Sequence, residues 1–116
     1  MFDAYLIVII VTFAVNAAAA GADFLRARFV LANSAEVGVP EGWLPLLGAL
    51  KAAGAAGLLL GLLWARPIGI AAAIGLVLFF IGAMATHIRA GVLYNLAFPG
   101  FYLALAIGSL VLIAAR

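Results

Sequence analysis

Apolar positions gather into four long runs. Ala4 to Ala22 carries no charge, and Trp43 to Ala65 carries only Lys51. Pro67 to Ile88 has His87 as its only titratable group, and Ala90 to Ala115 is uncharged throughout. A helix that crosses a hydrocarbon core of about 30 Å needs about 20 mostly apolar residues. Each run is close to that length or longer. The pattern predicts an all-α membrane protein: four antiparallel transmembrane helices near 4–25, 43–65, 67–89 and 96–115, forming one integral domain over 1–116. The first run reads as a span and not as a cleaved signal peptide, because Asp3 rather than a basic region precedes it.

The breaks between runs differ in length. Ala65-Arg66-Pro67 alone separates the second and third runs. Pro67 suits a first helical position, where its missing N–H costs nothing, so a tight hairpin is expected. Tyr94-Asn95 and Pro99 mark the start of the fourth span, with Asn95 as its expected N-cap. The break from Asp23 to Gly42 is the long one, and it holds half of all the charges: Asp23, Arg26, Arg28, Glu36 and Glu41. This stretch is expected to be a long, partly helical loop over one mouth of the bundle. Asn33 and Glu36 are expected to cap a short helix that Gly38 and Pro40 end. Orientation is left open. Arg66 and Arg116 lie on the side of the termini and Arg26, Arg28 and Arg89 on the other, too even a split for the positive-inside rule.

Composition narrows the function classes. Hydrophobic residues are 70% of the 116 and charged residues only 9%, whereas a soluble domain is nearer half and a quarter. The net charge of +2 comes from too few groups to form a nucleic-acid-binding patch. Cysteine is absent, which removes disulfides, thiol nucleophiles and Cys-ligated metal centres. One histidine without cysteine makes a poor metal site. Any redox electron would therefore come from a cofactor or a partner, and the residues name no cofactor.

Small residues and polar residues are both patterned. Helices in lipid associate through close contact, which small side chains permit. Gly54, Gly57 and Gly61 on the second span, and Gly75 and Gly82 on the third, are expected at the contacts between spans. Asn16 and Asp23 are seven apart on one face of the first span, with Thr12 four residues earlier. Thr86 and Arg89 share a face of the third span with Phe79 and Gly82. Asn95, Tyr102 and Ser109 share one on the fourth.

Lys51 stands out by depth. It lies eight residues past Trp43, so at 1.5 Å per residue it is ~12 Å in, near the middle of the bilayer. Either its stem snorkels back to the interface, or it is a buried cation facing Asp23, Glu36, Glu41 or an anionic or carbonyl-bearing ligand. Arg89 fits a cation at a helix C-terminus, with Gly91 as terminator. His87 fits either an interfacial side chain bonded to a carbonyl or a proton donor and acceptor.

Two strings carry a family resemblance. They are Gly38-Val39-Pro40-Glu41-Gly42-Trp43-Leu44-Pro45-Leu46-Leu47-Gly48-Ala49-Leu50-Lys51 and Gly82-Ala83-Met84-Ala85-Thr86-His87-Ile88-Arg89-Ala90-Gly91. With four spans and a short Arg-Pro hairpin, they resemble the DoxX-like family of small bacterial membrane proteins, over roughly residues 4–115. Members often carry an Asp after the H-x-R-x-G string; here Val92 stands there. The resemblance implies a four-helix bundle in the bacterial cytoplasmic membrane and makes a quinone link thinkable. It singles out Lys51, His87 and Arg89.

Three functions follow as expectations. In the first, a small lipophilic molecule (quinone-, epoxide- or lipid-like) is bound or converted in a pocket inside the bundle. Lys51, His87 and Arg89 are then the catalytic candidates, and Asp23, Asn16, Thr86, Phe79 and Tyr102 the substrate-binding ones. In the second, the protein is a non-catalytic scaffold or assembly subunit, as a homo-oligomer or beside a partner membrane protein. The third, a transporter, ranks last, because the chain is too short for two inverted repeats. Replacing Lys51 by Met should abolish ligand retention and leave the fold intact.

Overall fold

The computed structural model describes residues 2–115; Arg116, counted above on the side of the termini, lies outside them. Five helices follow one another: α1 (Phe2–Phe24), α2 (Arg28–Glu36), α3 (Leu44–Leu63), α4 (Arg66–Arg89) and α5 (Ala97–Ala114). A 3₁₀ turn, Glu41–Trp43, leads into α3. Among the described residues, four helical stretches are long and apolar enough to cross a membrane: Asp3–Phe24, Glu41–Leu63, Arg66–Arg89 and Ala97–Ala114. The shortest has 18 residues, which at 1.5 Å rise gives ~27 Å, close to a hydrocarbon core. The protein is an integral, multi-pass membrane protein.

The four spans pack as a ring. α1 touches α3 and α5, and α4 touches the same two. Contacts fix the directions. The end of α1 meets the beginning of α3 through Asp23 and Lys51, and the beginning of α4 meets the end of α5 through Arg66 and Ile113. Neighbours therefore run antiparallel. Arg66 donates from Nε to the Ile113 carbonyl at 3.0 Å and from Nη2 to the Ala114 carbonyl at 2.9 Å. Both oxygens lie in the last turn of α5, where carbonyls run out of helical partners.

Ile9, Leu58, Ala73, Leu76, Phe80 and Ala106 fill the bundle interior. Large apolar side chains such as Ile7, Leu78, Phe101 and Val111 stay exposed, as lipid contact allows. Two seams hold neighbouring helices. Between α3 and α4 the contact is made by small residues, with Gly54 against Leu76, Gly57 against Ala72 and Gly61 against Gly69. Between α1 and α5 it is polar: Ser109 donates to Thr12 Oγ1 at 3.0 Å, and Tyr102 donates to the Val15 carbonyl at 3.3 Å. In hydrocarbon such bonds join helices that no hydrophobic force draws together.

Three expectations need correcting. Gly75 and Gly82 are exposed, with nothing within 4 Å of where a Cβ would stand, so neither is a contact between spans. The inward stripe of α4 is Gly69, Ala73, Leu76, Phe80 and His87, and it faces away from both glycines. The long loop after the first span is not present as such. Its centre is the nine-residue α2, whose Ser34 is buried together with Val37, the residue that follows the helix. Asn33 and Glu36 do not cap it, and Asn95 does not cap α5, since neither helix has a side-chain cap. Gly38, at φ +78°, does end the segment, in a conformation that favours glycine.

Candidate functional site

At the end of the bundle where α1 and α4 stop and α3 and α5 begin, the helices leave a cavity of about 880 Å³. α2 lies along it. Most of its wall is apolar, from Ala18, Ala22, Leu47, Phe80 and Phe98 among others. About a third of the lining positions are polar, among them Asp23, Lys51, Thr86, His87 and Asn95.

Lys51 reaches the cavity from α3 and Asp23 from α1. Lys51 Nζ is 2.7 Å from Asp23 Oδ2, with side-chain exposures of 15% and 4%. The contact is an ion pair set off the angle of a good hydrogen bond. Of the three carboxylates open to Lys51 in the sequence, the structure selects Asp23. Glu41 pairs instead with Arg26, and Glu36 accepts a 2.5 Å hydrogen bond from the Tyr94 hydroxyl. The Lys51 side chain is thus largely buried, with its ammonium against Asp23 near the end of α1. A buried pair of this kind costs desolvation that its mutual attraction must offset. Nζ also lies 5.5 Å from the centre of the Phe79 ring, where the ring face attracts a cation.

His87 is buried in the last turn of α4, where its Nδ1 lies 3.0 Å from the Ala83 carbonyl. A carbonyl only accepts, so Nδ1 carries the proton. Nε2 is buried without a partner. Thr86, one residue earlier, donates to the Gly82 carbonyl at 2.8 Å, a common closure for a hydroxyl within a helix. Beside them is an aromatic wall. Tyr102 stacks on Phe98 with ring centres 5.4 Å apart and meets Phe80 at 5.1 Å.

The fold thus brings together Lys51, Asp23, His87, Thr86, Phe79 and Tyr102 on one cavity. It leaves out two of the expected set. Asn16 is fully buried on α1, donating to the Thr12 carbonyl at 2.9 Å, and does not line the cavity. Arg89 is exposed at the end of α4, just before Gly91 turns the chain at φ +72°. The glycine stripe of α3 is closed against α4 and gives no wall to a ligand.

Two contacts of α2 escaped the sequence reading. Asn95 Nδ2 donates to Asn33 Oδ1 at 3.2 Å, and Tyr94 bonds Glu36. Together they tie α2 to the segment before α5. Tyr94 titrates above its ordinary value of 10.0, chiefly because its hydroxyl is bonded to Glu36 and further through burial and the nearby negative charge. The signal was present in the placing of two polar pairs on separate segments, but nothing local links positions so far apart in the chain.

Four antiparallel spans define a class: small polytopic membrane proteins built as a helical bundle. The model of the DoxX-like family matches residues 7–109, and the chain belongs to that family. No curated protein and no solved structure matches it.

Proposed function

We propose that the protein, as one integral domain of the bacterial cytoplasmic membrane, holds a small lipophilic molecule in the cavity between its helices. The polar end of that molecule lies at Lys51, Asp23 and His87. Its apolar part lies along Phe79, Phe80 and Tyr102. The cavity itself carries the reading. At about 880 Å³ it falls within the range of small-molecule sites, ~300–1,000 Å³, which are mostly apolar with a few convergent polar groups. On the bound molecule, His87 Nε2 is the group that takes up a proton, and the Lys51 ammonium stabilises negative charge that develops nearby.

One observation favours the second reading, an accessory or assembly subunit. Lys51 and Asp23 already neutralise each other and clasp α3 to α1. A scaffold needs that clasp and no cavity, so filling the cavity separates the two readings. Protein extracted from membranes in a polymer belt, without detergent, should release a lipophilic compound of a few hundred daltons on mass spectrometry. Ala22→Phe, on the cavity wall, should lose that compound while the helices keep their thermal stability. Equal retention by the filled variant, or a parent protein that carries nothing, overturns the binding reading.

A further inference from the structure

We infer that the molecule held in this cavity presents a hydroxyl, or another hydrogen-bond donor, to His87, and belongs to the class of hydroxyl-bearing amphiphiles such as long-chain alcohols and acylglycerols. The inference deepens the binding reading above and rests on it.

The reason lies in which hydrogen-bonding capacity the fold has already used. His87 Nδ1 donates to the Ala83 carbonyl, which leaves the neutral ring with a bare lone pair on Nε2. That atom is buried, on the cavity wall, and has no partner. Asn95 Oδ1, also on the wall, is a second buried acceptor without a partner, since the amide nitrogen of the same side chain is taken by Asn33. Asp23 adds a carboxylate.

Three wall hydroxyls have their protons committed elsewhere: Thr86 to Gly82, Tyr102 to Val15 and Tyr94 to Glu36. What those three oxygens keep is accepting capacity. Donors remain at Lys51, Asn33, Ser34 and the indole N–H of the exposed Trp43, but Lys51 already faces Asp23. The buried unpartnered atoms on the wall are therefore acceptors.

A buried acceptor left bare costs free energy, and a ligand that only accepts, such as a carbonyl, ether or epoxide, cannot relieve it. A hydroxyl can. It donates to His87 Nε2 and still offers a lone pair to the ammonium of Lys51. An alkyl chain attached to it fits the apolar remainder of the wall.

Matched probes test this directly. Trp43 lines the cavity, and Trp64→Phe leaves it as the sole tryptophan of the chain's two. In phosphatidylcholine nanodiscs, 11-bromo-1-undecanol should quench Trp43 saturably. Undecanol should reverse that quenching at about one-tenth the membrane mole fraction needed for undecyl methyl ether, which keeps the oxygen and loses the proton; tenfold is the scale of one unmade hydrogen bond at a buried acceptor. His87→Leu should reduce the tenfold preference to near unity. If ether and alcohol compete equally in the parent, the donor inference is overturned and the binding reading stands. If neither competes and quenching never saturates, the binding reading falls and takes the inference with it. The comparison in the parent chain needs no change at the site, so a misfolded His87 variant cannot blur it.

Discussion

Lys51 Nζ lies 2.7 Å from Asp23 Oδ2, and this ion pair joins the start of α3 to the end of α1 inside the membrane-spanning bundle. Each charge is the other's main compensation. Lys51→Met, proposed from sequence as a change that spares the fold, therefore strands Asp23 in a buried place.

Each single removal should destabilise the protein, because breaking a buried pair leaves an uncompensated charge that costs about 3–5 kcal/mol unless it neutralises. The double variant Lys51→Met, Asp23→Leu should regain most of that loss. Thermal unfolding of the two singles and the double in one lipid nanodisc checks this. A double variant as unstable as the sum of the singles would show that the pair is not coupled.

The α3–α4 seam predicts a contrast between two glycines. A Cβ on Gly61 would stand 2.6 Å from the Gly69 backbone nitrogen, and backbone cannot move aside as a side chain can. Gly61→Ala should force the helices apart and cost about 1–3 kcal/mol, the usual scale of overpacking. Gly75→Ala meets open space and should be neutral or stabilising by up to about 1 kcal/mol, since alanine is the better helix former. The same unfolding measurement decides both; a neutral Gly61→Ala would contradict the seam.

Tyr94 and Glu36 predict a pH effect at the surface. A folded pKa raised above its unfolded value contributes stability that is present below the unfolded pKa and lost as pH rises through the folded one. The link from Tyr94 to α2 should therefore be intact at neutral pH and released above about pH 10. Ultraviolet titration of the three tyrosines should show one moving to lower pH in Glu36→Gln. Unchanged titration would mean that the bond does not hold in the membrane.

The four spans were legible because hydrocarbon thickness fixes helix length, and each run of apolar residues meets it without help from packing. Lys51 was legible as an anomaly of depth, and Asp23 as one of three partners. The faces of the helices were not. In lipid both sides of a helix are apolar, so spacing identifies a stripe without saying whether it points inward. Gly75 and Gly82 therefore looked the same as Gly54, Gly57 and Gly61, and only Gly69, Ala73 and Leu76 in three dimensions separate them. Asn16 misled for a related reason. It shares a face with Asp23, but it lies two helical turns deeper, below the part of α1 from Ala18 to Asp23 that lines the cavity. Charge drew attention to Arg89, whereas a helix end readily keeps an arginine exposed.

The most direct measurement is a crystal structure of the protein grown in a lipidic mesophase, with its membrane lipids retained throughout extraction. Density for one elongated molecule is expected in the cavity beneath α2, its polar atom about 3 Å from His87 Nε2 and its chain along Phe79, Phe80 and Tyr102. A cavity closed by α2, or filled by protein side chains alone with the Lys51–Asp23 pair unchanged, would contradict a ligand-binding role and leave the clasp as the reason for those residues.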